Sequence, residues 1–271
     1  MSAATVSDQP RAIGTARLSS KLRGGRSCLD HLHQSGALKL LFPRGDDALQ
    51  AVLVNTAGGV TGGDRFGVDA SAGTGSRLQL TTQAAERAYR AQKGQTGRIH
   101  TRLNVANAAT LHWLPQETIL YNGAAISRRL DVQLAENGQL LMVEPLLFGR
   151  HAMGEEVVAA SFTDCISIRQ GDDLIFRDGV RLHGDIASQL DRPAIASGAR
   201  AMALLVYVAP DAAGHIRALR DIFGRMGGFS LLGDGILVGR LLAHDGFDLR
   251  RSLVPALNHL TGNTLPKSWR L

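Results

Sequence analysis

Arg98-Ile99-His100-Thr101-Arg102-Leu103-Asn104-Val105 alternates between two sets of side chains, with Ile99, Leu103 and Val105 falling in one set and the charged residues in the other. A period of two means a strand with one buried and one wet face. Arg77-Leu78-Gln79-Leu80-Thr81 and Arg129-Leu130-Asp131-Val132-Gln133-Leu134 repeat the pattern on either side. Further strands are expected at 15–19, 37–42 (closed by Pro43), 50–54, 139–143, 165–169 and 174–177. The last two are separated by Asp172-Asp173, and Asn137-Gly138 signals a hairpin between 129–134 and 139–143. With 31 glycines in 271 residues, turns are frequent and strands short. No fixed-length repeat runs through this region, so neither a propeller nor a regular solenoid is supported.

The last third changes character. Residues 201–208 form a buried strand. Asp211 caps a helix whose Ile216, Leu219, Ile222, Phe223 and Met226 recur at spacings of three and four, and Gly227-Gly228 ends it. Short strands at 229–232 and 236–238 flank a Gly-Asp-Gly turn at 233–235. A second helix covers 245–261, with Leu249, Leu253, Leu257 and Leu260 on one face and Pro255 marking a kink or a start. The expected fold is mainly β, a layered or helical arrangement of many short strands with two α-helices in the C-terminal third. Residues 1–12 read as a disordered tail and 13–271 as one domain.

Composition excludes several classes. The hydrophobic share of 44% and the charged share of 20% are those of a globular protein. The net charge is +6, and with lysine only at Lys21, Lys39, Lys93 and Lys267, 26 of the 30 basic residues are arginine. These arginines are dispersed and not interleaved with aromatics, which disfavours nucleic acid and fits a solvated surface or acidic protein partners. Cys28 and Cys165 make no disulfide framework, the N-terminus has no apolar core, and the run 201–209 is too short for a membrane span. A soluble, intracellular protein is expected.

Leu53-Val54-Asn55-Thr56-Ala57-Gly58-Gly59-Val60-Thr61-Gly62-Gly63-Asp64 follows a strand and would suit a phosphate loop. It lacks the Lys-Ser/Thr and the GxGxxG spacing, and Asp64 would repel a phosphate. It reads as a tight, carboxylate-bearing turn. No GxSxG, HExxH or spaced Ser/His/Asp set is present. A hydrolase using this turn would have Thr61 as its hydroxyl and no evident base. Cys28, His31 and His33 fall short of a four-ligand zinc site. The carboxylates beside turns and apolar runs are Asp64, Glu86, Glu117 and Glu144. Glu144, within Leu140-Leu141-Met142-Val143-Glu144-Pro145-Leu146-Leu147-Phe148, must be paired, protonated or facing water, and a salt bridge to an arginine is the plainer reading.

Several blocks together resemble a known family. Residues 55–64 (NTAGGVTGGD, with Gly58, Gly59, Gly62 and Gly63) look like the Gly-rich signature of the urease accessory protein UreD, called UreH in some lineages. Residues 113–124 (WLPQETILYNGA, with Pro115, Gln116 and Glu117) and 146–155 (LLFGRHAMGE) are similar to its next blocks. SGALKLLFPRG and LTGNTLPKSWRL resemble its opening and closing segments. Ala57 and the tail Pro-Lys-Ser-Trp are modest departures. The resemblance implies a cytoplasmic chaperone of urease maturation, not an enzyme. It implies binding to the urease apoprotein and to UreF, which recruits the GTPase UreG that brings nickel, with a homodimer within the accessory complex also compatible. No cofactor is expected to stay bound, only Ni²⁺ in transit. A carrier must release this borderline ion, which carboxylates, carbonyls and water allow better than thiolates or clustered imidazoles. Asp64, Glu86 and Glu144, together with Asp47 and Asp178, are therefore the candidates for an internal nickel route. Asp64 and Glu144 lie beside family blocks, whereas the other three rest on chemistry and position. Asp64 either faces that route or only pins its turn. UreF docking is expected on the two late helices, through Arg217, Arg220 and Arg250.

Overall fold

The computed structural model describes residues 10–44, 47–150, 153–233 and 235–270. The first nine residues of the expected tail, Asp234 of the Gly-Asp-Gly turn, and His151 and Ala152 of the third block lie outside them.

Two sheets stack face to face. The front sheet has the order β14 (Asp173–Gly184), β13 (Ala160–Gln170), β11 (Ala125–Leu134), β8 (Gly97–Val105), β5 (Arg65–Ala72), β1 (Ile13–Arg23), β2 (Arg26–Gly36). The back sheet has the order β16 (Gly227–Leu231), β17 (Ile236–Ala243), β15 (Ala201–Val208), β12 (Gln139–Phe148), β9 (Thr110–Leu114), β6 (Arg77–Thr82), β4 (Leu49–Asn55), β3 (Leu38–Leu41). Two short strands extend it, with β10 (Thr118–Leu120) pairing both β12 and β7 (Glu86–Ala88). The fold is thus mainly β and layered, as the alternation implies.

From β4 to β13 the chain winds between the sheets, and every return lays a strand parallel to the one before it. In the front sheet the parallel partners Arg65 and Arg98, Gly97 and Ile126, and Ala125 and Ser161 set one turn at 33 (65 to 98), 29 (97 to 126) and 36 (125 to 161) residues. The architecture repeats while its sequence period does not, because connections of unequal length are added outside the sheets. A search for a fixed period therefore finds nothing.

Asn137-Gly138 is not a hairpin turn. β11 and β12 lie in different sheets, and the turn carries the chain from one layer to the other, with Gln139 N–H donating to the Ala109 carbonyl at 2.9 Å. Both flanking strands are already paired with strands from other turns, β11 with β8 and β13, β12 with β9 and β15. Asp172-Asp173, by contrast, does join an antiparallel pair.

The strands not anticipated are instructive. β2 is an edge strand whose second half is exposed, so it carries no apolar alternation. β5 buries Phe66, Val68, Ala70 and Ala72 in strict alternation, but its small residues and Gly67 mask the strand signal. α2 (Ala212–Phe223) and α3 (Gly246–Thr261) lie outside the back sheet, whereas the short α1 (Ile186–Leu190) follows β14 and puts Ile186 and Leu190 into the core between the sheets. α2 ends at Gly224, at φ +57°, three residues before the glycine pair expected to stop it; Gly227 and Gly228 instead open β16. α3 runs through Pro255 and closes on Gly262 in the left-handed region.

Two cores result. One fills the space between the sheets; the other lies between the back sheet and helices α2 and α3. β12 serves both. Leu140, Met142, Leu146 and Phe148 face the front sheet, whereas Leu141 and Val143 face the helices. By the same alternation Glu144 points between the sheets.

Candidate functional site

Glu144 is 8% exposed and does not stand alone. Its Oε1 accepts from the indole Nε1–H of Trp113 at 2.7 Å, and its Oε2 lies 3.0 Å from Nη1 of Arg128. The other end of that guanidinium pairs with Asp164, and Nη1 also donates to the Thr118 hydroxyl at 2.9 Å. The Arg128 head sits over the Phe162 ring at 5.4 Å. Glu144, Arg128 and Asp164 come from three strands and meet in the layer between the sheets.

Two carboxylates therefore share one guanidinium away from water. Burial pulls the Arg128 pKa down, but Asp164 and Glu144 more than offset this and hold it charged. Burial raises the Glu144 pKa, and the charge of Asp164 adds to the rise against the opposing effects of Arg128 and Trp113. The cluster carries one negative charge more than it balances, so it favours a proton or a passing cation. Nε of Arg128 is buried without a partner among the described residues.

A cavity of about 70 Å³ adjoins the cluster, lined by Glu86, Glu144 and Asp164 together with Arg128, Thr101 and Thr118. At roughly 10–15 Å³ per water it has room for a few waters. Glu86 is its outer member. Both Glu86 oxygens accept from Asn55 Nδ2, at 3.1 and 3.2 Å, and burial raises its pKa, with a smaller push from the charge of Asp64. Glu86, Leu53 and Thr82 also line a second hollow of about 210 Å³ that opens at Gly58 and Gly59. The two hollows thus meet at Glu86, beneath the Gly-rich turn.

That turn is built around Asp64, which is 4% exposed. Its Oδ2 accepts from Thr61 N–H and its Oδ1 from Ala12 N–H, both at 2.8 Å, so the carboxylate closes the turn and ties down the entering chain. Gly58 and Gly59 have φ of +76° and +156°. A Cβ at Gly59 would stand 2.3 Å from the Tyr89 ring and 2.5 Å from the Arg87 carbonyl, so the second glycine is there for close approach as well as for its backbone.

Of the five carboxylates read from sequence, Glu86 and Glu144 line one cavity, and Asp64 reaches it by its field. Asp47 and Asp178 lie elsewhere. Asp47 lines a cleft on the outer face of the back sheet, and Asp178 pairs with Arg240 at 2.7 Å, joining β14 to β17. Among the described residues no three His, Cys, Asp or Glu side chains converge as a metal site. In the block Pro115-Gln116-Glu117, Glu117 is 5% exposed and takes two hydrogen bonds from Arg250 of α3, at 2.6 and 3.0 Å. Arg250 is thereby turned inward, and Arg220 donates twice to the Phe229 carbonyl, at 3.0 and 2.8 Å. Of the three arginines expected on the partner-facing helices, only Arg217 shows no such bond among the described residues.

Sequence reading missed Arg128 and Asp164. The signal was present. Ile126, Leu130, Val132 and Leu134 set the inward phase of β11, and Arg128 falls in it; Phe162, Ile166 and Ile168 do the same for Asp164 in β13. The sequence reading begins these strands at Arg129 and Cys165, four and five residues inside β11 and β13, which hides the charged inward position.

Over residues 12–270 the chain matches a family described as UreD urease accessory protein. It is 60% identical to the urease accessory protein UreD of Roseobacter denitrificans, with 100% of this chain and 99% of that protein covered. It is 52% identical to the UreD of Ruegeria pomeroyi, over 94% of this chain and 99% of the relative. For the UreD of Brucella suis (strain ATCC 23445 / NCTC 10510) the figures are 46%, 96% and 95%.

Proposed function

The chain belongs to the UreD family of urease accessory proteins and has a role in urease maturation; we propose that it fills this role as a non-enzymatic cytoplasmic scaffold that passes Ni²⁺ between its two sheets. In this reading nickel reaches it through UreF, which recruits the GTPase UreG, and leaves it for the urease apoprotein.

The observation that carries the proposal is the cavity between the sheets, where Glu86, Glu144 and Asp164 meet Arg128, the other lining arginine, Arg129, being paired with Asp131. An excess of buried negative charge is costly to fold around, and a divalent cation relieves it. Carboxylates and water hold Ni²⁺ loosely enough to release it. The route enters beneath Gly58 and Gly59, passes Glu86 within the field of Asp64, and reaches Glu144 and Asp164. Asp47 and Asp178 stand apart and are not part of this path. α2 and α3 offer the surface for UreF, with Arg217 the contact residue, since Arg220 and Arg250 are engaged within the chain. A homodimer within the accessory complex is compatible with this scheme, and nucleic acid has no part in it. Among the described residues no helix is long and apolar enough to cross a membrane.

The test is urease maturation in cells carrying Glu144→Gln, which keeps volume and acceptor but removes the charge. The expected outcome is urease with reduced nickel content while the variant still co-purifies with UreF and urease. Full nickel content in a complex that assembles normally would sink the route.

A further inference from the structure

On the side of the back sheet away from the nickel route lies a cleft of about 620 Å³. Its floor is a polar rung: Gln50, Gln79 and His112 stand side by side in register on β4, β6 and β9. Their strand neighbours Ala51, Leu78, Leu80 and Leu111 face the other way, into the layer between the sheets. One wall is the C-terminal segment that follows α3. Gln79 Nε2–H donates to the Thr264 carbonyl at 3.0 Å, and the indole N–H of Trp269, 2% exposed, donates to the Leu114 carbonyl at 2.9 Å. The guanidinium of Arg250 caps the Trp269 ring at 5.4 Å. The wall is therefore fixed before any ligand arrives.

The charges around this cleft are one-sided. Arg44, Arg77, Lys267 and Arg270 line it against a single described carboxylate, Asp47. None of the four forms a salt bridge among the described residues, and Arg270 only donates to the Asn263 carbonyl, at 3.1 Å. Several arginines elsewhere are paired with carboxylates. On the front sheet Arg17 and Arg102 share Asp69, and Arg129 pairs with Asp131. Burial and the charge of Arg77 hold His112 neutral, with its pKa lowered to about 4, so the ring offers one donor and one acceptor. Neither nitrogen has a hydrogen-bond partner among the described residues. Uncompensated cations around a rigid concave floor with spare hydrogen-bonding groups are the makings of an anion site.

We propose that this cleft binds a small polyphosphate anion, such as a diphosphate or triphosphate group. The cations approach from three directions: Arg44 from the segment after β3, Arg77 from the start of β6, and Lys267 and Arg270 from the terminal segment. That suits a ligand with charge spread over several oxygens, and guanidinium forks match phosphate. The volume falls within the range of roughly 300–1,000 Å³ typical of small-ligand sites and exceeds what a single inorganic phosphate needs. The chemistry is shared by inorganic pyrophosphate and by the tail of a nucleoside triphosphate. If the second is the occupant, Gln50 and His112 are placed to meet its polar base or sugar.

The experiment is calorimetric titration of the purified full-length chain with inorganic pyrophosphate and, separately, with ATP, at low and at high salt. Both are expected to bind, more weakly as salt rises. Tighter binding of ATP would identify a nucleotide, and equal binding a phosphate site alone. Arg77→Ala and Lys267→Ala should each weaken binding roughly tenfold, the scale of one charge-assisted contact. Arg17→Ala on the front sheet should change nothing. Should either alanine variant unfold at lower temperature than the parent, Arg77→Gln and Lys267→Gln serve in its place. No binding of either probe at roughly 1 mM, or undiminished binding by folded Arg77 and Lys267 variants, would overturn the proposal. So would binding of an acidic peptide by a chain that ignores both phosphates.

Discussion

β12 has two faces, and they are packed against opposite chemistry. Toward α2 and α3 it presents Leu141 and Val143 to Leu219, Phe223, Leu249, Leu253 and Leu257, an apolar seam. Toward the front sheet it presents Leu140, Met142, Leu146 and, in the same row, Glu144 with Arg128 and Asp164. The helix-covered core is of a kind that stabilises and does nothing else. The layer between the sheets sacrifices stability where its charges sit, since a well-packed apolar cluster in their place is often equal or better. The contrast between the two faces of one strand is what the nickel-route proposal would account for.

The contrast can be broken most forcefully at Arg128. Arg128→Met leaves Glu144 and Asp164 buried without a counter-charge, and about 3–5 kcal/mol of stability should be lost, measured by denaturant unfolding. Adding Glu144→Gln and Asp164→Asn should recover most of it. If the single change costs no more than a surface substitution, the cluster is better hydrated than its burial indicates.

On the other face, Leu253→Ala should cost about 2–5 kcal/mol by cavity formation. The loss should be the same across the acid and neutral range, because the side chains clustered with Leu253 are apolar apart from Tyr207, whose phenol burial and Asp211 keep protonated there. A pH-dependent loss would mean that the two cores are coupled through β12.

Glu144→Gln sharpens the comparison through pH. The folded-state pKa of Glu144 is raised above its usual 4.5 by burial. The folded state therefore binds the proton more tightly than the unfolded one, and stability falls as pH rises from that value through the folded pKa. Glu144→Gln should flatten this part of the profile and leave stability at neutral pH equal to the parent or about 1 kcal/mol higher. Glu86→Gln should act in the same direction, since the Glu86 pKa is also raised by burial. A profile that keeps its slope in both variants would place the titration elsewhere.

The smallest effect on stability is expected at Arg217→Glu on α2, within about 0.5 kcal/mol. Its readout is capture of UreF, which should weaken if the outer helix face is the docking surface. Unchanged capture would move that surface off α2.

Much of the fold was legible in the residues. The alternation of 98–105, the apolar spacing of 216–226 and the leucines of 249–260 specify strand and helix because burial on one side imposes period two or 3.6 wherever it occurs. Edge strand β2 and the small-residue strand β5 were not legible: one buries too little to leave a pattern, and the other buries residues too small to mark one. Asn137-Gly138 misled because a turn signal states that the chain reverses, not which sheet receives it.

For the candidate site, sequence alone determined that Glu144 had to be satisfied, since a carboxylate within an apolar run cannot be buried bare. It also marked Asp64 as the end of a tight, Gly-rich turn. Which cation answers Glu144, and that Asp164 shares it, was decided by the coiling of the chain. Residues 128, 144 and 164 meet because successive turns stack in register across two sheets. Asp64, whose two oxygens take backbone N–H groups of Thr61 and Ala12, pins its turn, and only the tertiary structure sets its charge near Glu86. Local pattern records which face is buried; what waits on the other side of that face is a long-range contact, and no local pattern carries it.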